Sequence, residues 1–524
     1  MGGGWDFMKP DIFIFFKDYK KKYIGNDIMA GLLVAIIALP LSIAVGIQSM
    51  PEHISTNGVQ IGIITAIVAG FLISFLGGGR FQIGGPTPVF VAIVFGYLSD
   101  PAIGLLGLQV ATIFAGIWMI ILGITRTGKI INYIPHSIVV GFTTCVGITI
   151  FVGQLKDLFG LDSASGAELI PKLISYGQNI REFNYVTFLI GIFALIIILV
   201  LNKINRKIPA AIIAIIVCTG INLIIEKTTG NQEIVQTIGS KYGTIKAEFY
   251  PISFAGFGEL NFGKLIVPSL VIAMLGAMES LLSATVADSM TRTKHNPNQE
   301  LLGQGVANIA SVCLGGLPAT AALARTSANI NAGAKSSISG MIHALFILIL
   351  YLTLMDVIKF IPLTVFAAIL ISVAIRMCNF PLFFKVLKYS YKEAIILLAT
   401  CALTIYKDLV WGVLGGMVVV ALLNIPNYKL KLNVNKEVDH DKMVVKVSGP
   451  LYVFNIDKLI KYISPSSVMP HIKQITIDLS EAKELDATAS DRIAKCRHAH
   501  TSGAVEFEIQ GLSENMQKKI STFG

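Results

Sequence analysis

Charged side chains are scarce in this sequence, because Asp, Glu, Lys and Arg make up only 14% of its 524 residues. Ordinary soluble domains carry about 25% charge, so a soluble globular chain of this size is excluded. Hydrophobic residues make up 54% of the sequence, and the mean hydropathy is +0.70. This composition predicts a polytopic α-helical membrane protein whose main surroundings are a lipid bilayer.

Catalytic and metal-binding motifs are also missing. The six cysteines show no metal-ligand spacing, and most lie in or beside apolar segments, where cysteine acts as a small buried hydrophobe. The sequence pairs no nucleophile with a base, so an enzyme is not expected and no cofactor is predicted. The net charge of +10 is attributed to membrane topology, so no nucleic-acid partner is expected.

The sequence contains many apolar windows of about 20 residues. Shorter windows, broken by Gly and Pro, bring the predicted total to about 14 membrane crossings. The clearest windows are Ile28–Gln48, Gly58–Leu76, Gly104–Ile124, Phe188–Leu201, Pro209–Ile225, Lys264–Ala287, Ile338–Leu354 and Leu409–Ile425.

The basic cluster Lys17, Lys20, Lys21 and Lys22 precedes the first window, and no small-residue cleavage site follows it. A cleavable signal peptide is therefore not expected. The positive-inside rule puts this end in the cytoplasm, and an even number of spans puts the other end there too. The predicted location is the inner cell membrane, with multiple passes and both termini cytoplasmic.

Three regions are predicted from the change in composition: a cytoplasmic N-terminus over 1–24, a transmembrane domain over 25–426 and a cytoplasmic domain over 427–524. In the last region MVVKVSG, ITIDLS and VEFEIQG have strand character, whereas DATASDRIAKCRHA and SENMQKKIST look helical. Strands that alternate with helices predict a small α/β module.

The membrane region contains an internal repeat. GGPTP at 84–88 and GGLPAT at 315–320 each precede a short apolar run. Pro86 is followed by Pro135 after 49 residues, and Pro318 by Pro362 after 44 residues, each at the start of a later span. Two interrupted segments in corresponding halves point to a transporter binding site. Seven spans in each half would make the halves inverted, so a 7+7 arrangement is predicted.

Each glycine–proline stretch predicts an extended strand followed by a helix that starts at mid-depth, at Pro318 in the second half. Free N–H groups and the positive end of the helix dipole favour an anion at such a start. Ala319 to Ala322 are expected to expose these N–H groups. The hydroxyls of Thr87 and Thr320 are candidate additional donors.

Arg325 follows Pro318 by seven residues, and Glu279 lies deep in an earlier apolar window. Arg325 is predicted either to attract the anion or to form an ion pair, with Glu279 as the obvious partner. Glu279 is a candidate proton carrier or cation ligand, and Ser283 shares its helix face. Pro40 is expected to break or kink the first span. The single histidines His136 and His343 are expected to find partners locally.

The segment LGAMESLLSATVADSMTRTKHNPNQELLGQGVANIASVCLGGLPATAALARTSANINAGAKS closely resembles the SulP family of anion transporters. QIGGPTPVFVAI and YIPHSIVVGFTT are also similar to family segments, and VSGPLYVFN with ITIDLSEAKELDATAS resembles the family's STAS domain. The resemblance implies core and gate domains, elevator-type motion and a homodimer. It places the anion between the third and tenth helix starts. The residues predicted to bind it are Gly85, Thr87, Pro88, Ala319, Thr320, Ala321, Ala322, Ala324 and Arg325.

Departures from the family pattern bear on substrate and coupling. Sodium-coupled bicarbonate members have Asp and Thr where this chain has Glu279 and Ser283, and Thr where it has Leu323. The loss of an oxygen ligand favours H⁺ over Na⁺ as the coupling ion, with Na⁺ as the alternative. The family's polar Gln after the first-span proline is replaced by Leu41. Sulfate is the favoured anion, ahead of bicarbonate and dicarboxylates.

Thr488 in ELDATAS matches the residue that is phosphorylated in bacterial STAS relatives, although Ala489 replaces the glycine that usually follows. Thr488 is therefore a candidate regulatory residue, and docking or dimerisation is the alternative role.

Two other functions are weighed against transport of a small anion. A nucleobase permease needs a second polar side chain to bind the base edge, and a membrane-anchored regulator would use the STAS domain for signalling.

Overall fold

The computed structural model describes most of the chain. Lys17 of the predicted basic cluster and the predicted boundary at 426–427 lie outside the described residues. The described ranges are 9–15, 19–51, 54, 58–128, 134–161, 169–205, 208–230, 234–243, 246–253, 255–291, 293–406, 409–424, 432–463, 468, 472–501, 505–512 and 514–521.

The chain forms two compact units, and neither is continuous in sequence. The first unit comprises Met1–Lys129 and Val146–Met377, and the second comprises Ile130–Cys145 and Cys378–Gly524. The second unit therefore combines the last membrane helices with the C-terminal α/β domain, so this domain is not isolated from the membrane region.

The first unit is mainly helical, and so is the part of the second unit that precedes the C-terminal α/β domain. In chain order they are α1 (Asp11–Phe15), α2 (Ile24–Ser49), α3 (Gly58–Leu76), α4 (Pro88–Ser99), α5 (Gly104–Ile124), α6 (His136–Phe159), α7 (Leu169–Gln178), α8 (Tyr185–Ile204), α9 (Ala210–Thr229), α10 (Ile238–Tyr242), α11 (Phe262–Thr291), α12 (Pro297–Cys313), α13 (Leu323–Asn331), α14 (Ile338–Ile358), α15 (Leu363–Met377), α16 (Phe380–Tyr389), α17 (Tyr391–Tyr406) and α18 (Leu409–Asn424).

Nine helical stretches of the described chain are long and apolar enough to cross a membrane. They comprise α2, α3, α5, α6, α8, α9, α11, α14 and the combined stretch of α15 and α16, and α4 and Trp411–Asn424 are shorter apolar helices. The polytopic helical fold is thus confirmed, and the fourteen-span count stays a prediction.

Pro40 does not interrupt the first span, so the expected break is wrong, and the alternative of a kink stays a prediction. Helix α2 runs without interruption from Ile24 to Ser49 with Pro40 inside it. Nearby, Ser42 Oγ donates to the Ala38 carbonyl at 2.8 Å. Proline in a membrane helix is tolerated where side chains and neighbouring helices satisfy the backbone groups that it frees.

The C-terminal part of the second unit is a four-stranded sheet with helices, which confirms the predicted α/β module. The strand order is β3-β4-β5-β6, with β3 antiparallel to β4 and the other pairs parallel. Buried apolar residues from the strands and helices form one core. Its elements are β3 (Asn433–Asp439), β4 (Lys442–Leu451), α19 (Asp457–Ile463), β5 (Gln474–Leu485), α20 (Ala487–Thr501), β6 (Glu506–Gln510) and α21 (Glu514–Ser521).

Candidate functional site

The two glycine–proline stretches meet in a short antiparallel ladder within the first unit. Strand β1 (Gly84–Gly85) pairs with strand β2 (Thr320–Ala321), with Gly84 opposite Ala321 and Gly85 opposite Thr320. The predicted extended segments are therefore confirmed. Because the strands are antiparallel, the helices that follow them leave the ladder at opposite ends.

The first of these helices begins inside the predicted motif. Thr87 is the N-cap in extended conformation, and Pro88 is the first residue of α4. Proline suits this position because its missing N–H would have no partner within the helix and its φ is already helical. The N-terminus of α4 therefore lies two residues beyond the ladder.

The second helix does not start at Pro318, so that prediction is wrong. Residues up to the N-cap Ala322 are extended, and α13 begins at Leu323. Side chains of neighbouring helices hold this extended backbone. Asn308 of α12 accepts from Ala319 N–H at 2.8 Å and donates to Ala319 O at 2.9 Å.

The remaining amides of this segment are also occupied. Ala321 N–H donates to Ser280 Oγ of α11 at 3.2 Å, and Ala322 N–H donates to Ile83 O at 3.0 Å. The expectation that Ala319 to Ala322 expose free N–H groups is thus wrong for Ala319, Ala321 and Ala322. The unpaired first-turn donors belong to Leu323 and its successors, which start α13.

Arg325 consequently lies in the first turn of α13 rather than two turns into a helix. Its side chain is only 2% exposed. Leu323 and Ala324, in the same turn, are exposed. The buried charge is therefore placed beside the positive end of the helix dipole, at an accessible helix start.

The Arg325 guanidinium joins three parts of the first unit. Nη2 donates to the Pro86 carbonyl at 3.0 Å and to Ser42 Oγ of α2 at 3.2 Å, and Nη1 makes a longer contact of 3.5 Å with the Gly84 carbonyl. Nε has no hydrogen-bond partner among the residues that the structure describes. Arg325 thus holds the opposite strand while it keeps one donor unused.

Gly85 makes room for this guanidinium. Its φ is +148°, in the region that side chains rarely adopt, and a β-carbon built on it would collide with Arg325 Nη1. Glycine is therefore required at position 85 both by the backbone conformation and by the close approach of the arginine.

The alternative of an ion pair between Arg325 and Glu279 is wrong for this structure. Both side chains are described, and neither has the other within the 4 Å range of an ion pair. Glu279 Oε2 instead accepts the Thr87 hydroxyl at 3.0 Å. The carboxylate and the guanidinium therefore contact the same strand–helix junction, residues 84–87, at different atoms.

The other predicted hydroxyls are also hydrogen-bonded inside the protein. Thr320 Oγ1 donates to the Gly276 carbonyl at 3.2 Å and lies 2.5 Å from Ser280 Oγ. Ser283 Oγ donates to Gln82 Oε1 at 2.8 Å. Since Thr87 donates to Glu279, the hydroxyl donors expected for an anion are engaged elsewhere in this conformation, which leaves backbone amides as the donors on offer.

Gln82 is a residue that sequence reasoning missed. Its amide donates to Ser280 O at 2.8 Å and accepts from Ser283 and from Thr326 of α13, the latter at 3.1 Å. One side chain thus ties the strand before the first helix start to α11 and α13. A polar residue two positions before a glycine pair in an apolar context was the available signal.

His343 contradicts the expectation that its ring is satisfied locally. The residue is 0% exposed, and neither ring nitrogen has a hydrogen-bond partner among the described residues. His136, in contrast, has an acidic neighbour, since its Nδ1 lies 3.8 Å from an Asp491 oxygen.

The second unit contains the predicted regulatory threonine. Thr488 is 6% exposed and lies in the first turn of α20. Its hydroxyl oxygen accepts a hydrogen bond from the backbone N–H of His136, the first residue of α6, at 2.9 Å. This contact favours the docking alternative, and phosphorylation of Thr488 stays a prediction.

Acidic groups surround the same contact. Glu393 of α17 accepts from the Ala487 N–H at 3.0 Å and from the Ser137 hydroxyl. Asp486 accepts from Val453 N–H at 2.7 Å and Ala489 N–H at 2.6 Å. Burial and the negative charge of Glu393 raise the pKa of Asp486 to about 7.

Comparisons with known families match nearly the whole chain. The description "Sulfate permease family" belongs to the family model that matches residues 24–400, and a STAS domain model matches residues 433–524. A Bacillus subtilis protein, YvdB, named provisionally as a sulfate transporter, is 33% identical over 472 residues that cover 88% of this chain and 85% of the relative. The bicarbonate transporter BicA of Picosynechococcus sp. is 28% identical over 500 residues, 89% of this chain and 85% of the relative.

Solved structures share the architecture. The transmembrane domain of a cyanobacterial bicarbonate transporter BicA superposes with a TM-score of 0.64 at 27% identity and covers 75% of this chain and 98% of that chain. The murine Slc26a9 anion transporter, in the inward-facing state, superposes with a TM-score of 0.71 over 99% of this chain and 91% of that chain. At 17% identity the second likeness shows the fold alone.

Stability should depend on pH through Asp486. The folded protein holds the proton up to about pH 7, whereas the unfolded chain releases it near the ordinary aspartate pKa of 3.8. Between these values the native state binds more protons, so stability falls as pH rises from about 4 to 7 and then levels off. Glu393→Gln removes the neighbouring charge and should flatten this fall.

Thermal unfolding in detergent at pH 4.5 to 8 measures the effect. Glu437→Gln, which removes a carboxylate from an exposed ion pair with Lys446, is the matched control and should keep the wild-type profile. An identical pH profile in Glu393→Gln and wild type would contradict the interaction.

Proposed function

The chain belongs to the sulfate permease family of anion transporters, and we propose that it carries a small anion across the cell membrane as a secondary transporter. The family is one of transporters and not of enzymes. The fold is that of a multi-pass membrane transporter with a C-terminal STAS domain. Sulfate is the proposed anion, and bicarbonate or a dicarboxylate is the alternative.

The observation that carries this proposal is the buried Arg325 in the first turn of α13. A guanidinium, the first-turn amides of α13 and the start of α4 lie on one two-strand ladder. An anion placed there would gain hydrogen bonds from backbone N–H groups and attraction from the charge. Glu279 is not in direct contact with Arg325 and acts on it only at longer range, so the guanidinium can still attract a ligand.

The proposed binding residues stay those predicted from the sequence. The backbone N–H donors, however, are assigned to the first turn of α13 instead of to the segment before it. Leu323, Ala324 and Arg325 supply the amides of α13, and Thr87 and Pro88 form the start of α4. Ala319 to Ala322 support the site as a bonded strand. Relatives named for sulfate and for bicarbonate are both similar to this chain, which supports a small oxyanion without choosing between them.

Proton coupling is proposed through Glu279. Its carboxylate touches Thr87, the N-cap of α4, so protonation would change the electrostatics of one helix start directly. A sodium site at Ser283 is less supported, because hard cations need several oxygen ligands and Leu323 supplies none where sodium-coupled relatives have Thr. Sodium coupling is kept as the alternative.

The remaining architecture is proposed from the family. It comprises fourteen spans as inverted halves of seven, boundaries near 24 and 426, elevator-type alternating access, a homodimer, and cytoplasmic termini at the inner membrane. The paired interrupted segments support inverted halves. The Thr488 contact with α6 supports a STAS domain that docks on membrane helices. The second candidate function is a membrane-anchored regulator that signals without transport, and measured uptake of an anion would exclude it.

Uptake into proteoliposomes tests the proposed function. Labelled sulfate, bicarbonate and succinate are supplied under an imposed proton or sodium gradient. We expect saturable sulfate uptake that an inward proton gradient accelerates. Saturable bicarbonate uptake driven by sodium would instead support the alternative, and no saturable uptake of any anion would refute the transporter role.

Arg325→Gln should weaken anion binding at least about 30-fold, because loss of one partner from a desolvated charge interaction costs at least about 2 kcal/mol. Binding is measured by calorimetry with sulfate on the purified full chain. Arg181→Gln removes an exposed arginine and should leave the affinity unchanged. If Arg325→Gln is folded and binds as tightly as wild type, Arg325 serves only to hold residues 84–86.

Glu279→Gln should abolish proton-driven accumulation and retain anion binding, because glutamine keeps the contact with Thr87 but cannot release a proton. The assay compares sulfate uptake with and without an inward proton gradient. Glu259→Gln, at an exposed position, is the matched control. Accumulation in Glu279→Gln at the wild-type level under the same gradient contradicts the carrier role.

A further inference from the structure

His343 is a buried ionisable group that the transport scheme above does not use. It lies in α14, a helix that packs against α2 and α3. Its ring is fully buried, and both nitrogens have no partner in the described structure. Buried polar groups are almost always hydrogen-bonded, so two orphan nitrogens on one ring need an explanation.

The ring lies near strand β1. A β-carbon built on Gly70 of α3 would be 3.7 Å from His343 Cδ2 and 3.2 Å from the Gly84 carbonyl oxygen. The imidazole edge and the Gly84 carbonyl therefore flank the same glycine. That carbonyl holds only the 3.5 Å contact with Arg325 Nη1, so it can accept another hydrogen bond.

Few other charges face the ring. Helix α3 contains no ionisable residue, and α2 contains only Asp27, whose carboxylate is bonded to the amides of residues 335 and 336 before α14 begins. Arg325 is the charged group of α13. On α14 itself, Tyr351 and Asp356 lie two and more turns further along. Among the charged groups of the described residues, Arg325 interacts electrostatically with the ring, and Glu279 of α11 in turn interacts with Arg325.

We propose that His343 binds a proton when the anion binds, and that it thereby sets the pH dependence of anion affinity. A proton from solvent adds to one ring nitrogen and converts neutral imidazole to imidazolium. This inference rests on the proposed anion site, and it is separate from proton carrying by Glu279.

Charge complementarity supplies the reason. With the site empty, the positive charge of Arg325 opposes a second positive charge on His343. A bound anion at the helix starts offsets Arg325 and so removes the part of the penalty that Arg325 causes, whereas burial of the ring opposes the charge with or without the anion. Linkage is reciprocal, so a proton on His343 must strengthen anion binding by the factor by which the anion strengthens proton binding.

The test measures sulfate affinity of the purified full chain by calorimetry at pH 5.5 to 8, together with proton uptake on sulfate addition in weak buffer. One linked proton changes the Kd by up to about tenfold per pH unit. We expect Glu279→Gln to retain part of this dependence and the Glu279→Gln, His343→Gln double variant to lose it. His440→Gln, at a 93% exposed histidine side chain of the second unit, should change nothing.

His343→Phe keeps the ring volume without nitrogens and is the second variant if glutamine prevents folding. Equal pH dependence of the Kd in Glu279→Gln and in a folded double variant overturns the proposal, and so does a pH-independent Kd in Glu279→Gln alone. A wild-type chain that binds neither sulfate nor bicarbonate refutes the proposed anion site instead, which separates the two failures. Proton-driven uptake that persists in His343→Gln supports the proposal that His343 sets anion affinity and that Glu279 carries the transported proton.

Discussion

A guanidinium inside a membrane domain has to be stabilised by hydrogen bonds or by an opposite charge. In this chain Arg325 is held by two firm hydrogen bonds, to the Pro86 carbonyl and to the Ser42 hydroxyl, and by no carboxylate within ion-pair range among the described residues. The guanidinium therefore has no direct ion-pair partner while it fixes the opposite strand, and Glu279 acts on it only from beyond contact distance. Gly85 is shaped around it, and α13 starts beside it, so the local architecture and the proposed affinity for anions depend on the same side chain.

The Arg325 guanidinium can attract an anion to the helix starts only if the backbone around it stays in place. Polar side chains of packed helices hold that backbone. Asn308 brackets Ala319, Thr65 accepts from the Leu317 amide at 2.7 Å, and Gln82 joins three elements. Each buried backbone group that is satisfied in this way removes a penalty of several kcal/mol in a region without water. The extended segments can therefore persist at membrane depth, and the helix starts remain directed at one place.

Much of this followed from the sequence because its causes are local. Breakers in apolar windows predicted the extended segments and a helix after each of them. The second helix start was misplaced because Pro318 is a local signal, whereas Asn308 and Ser280, distant in sequence, hold residues 319–322 extended. Likewise β3, an edge strand with few buried residues, and α19, a helix of seven residues, gave no periodicity strong enough to predict. The isolation of His343 depends on packing of α14 against α3, which no window reports.

Direct location of the anion tests the central claim, that paired helix starts beside Arg325 form the binding site. Selenate is an isostere of sulfate, and anomalous diffraction at the selenium edge from crystals grown with it would locate the ion. The account predicts one strong peak at hydrogen-bond distance, about 3 Å, from first-turn amides of α13 and close to Arg325. A peak elsewhere in the transmembrane domain, with this position empty at saturating selenate, would contradict it.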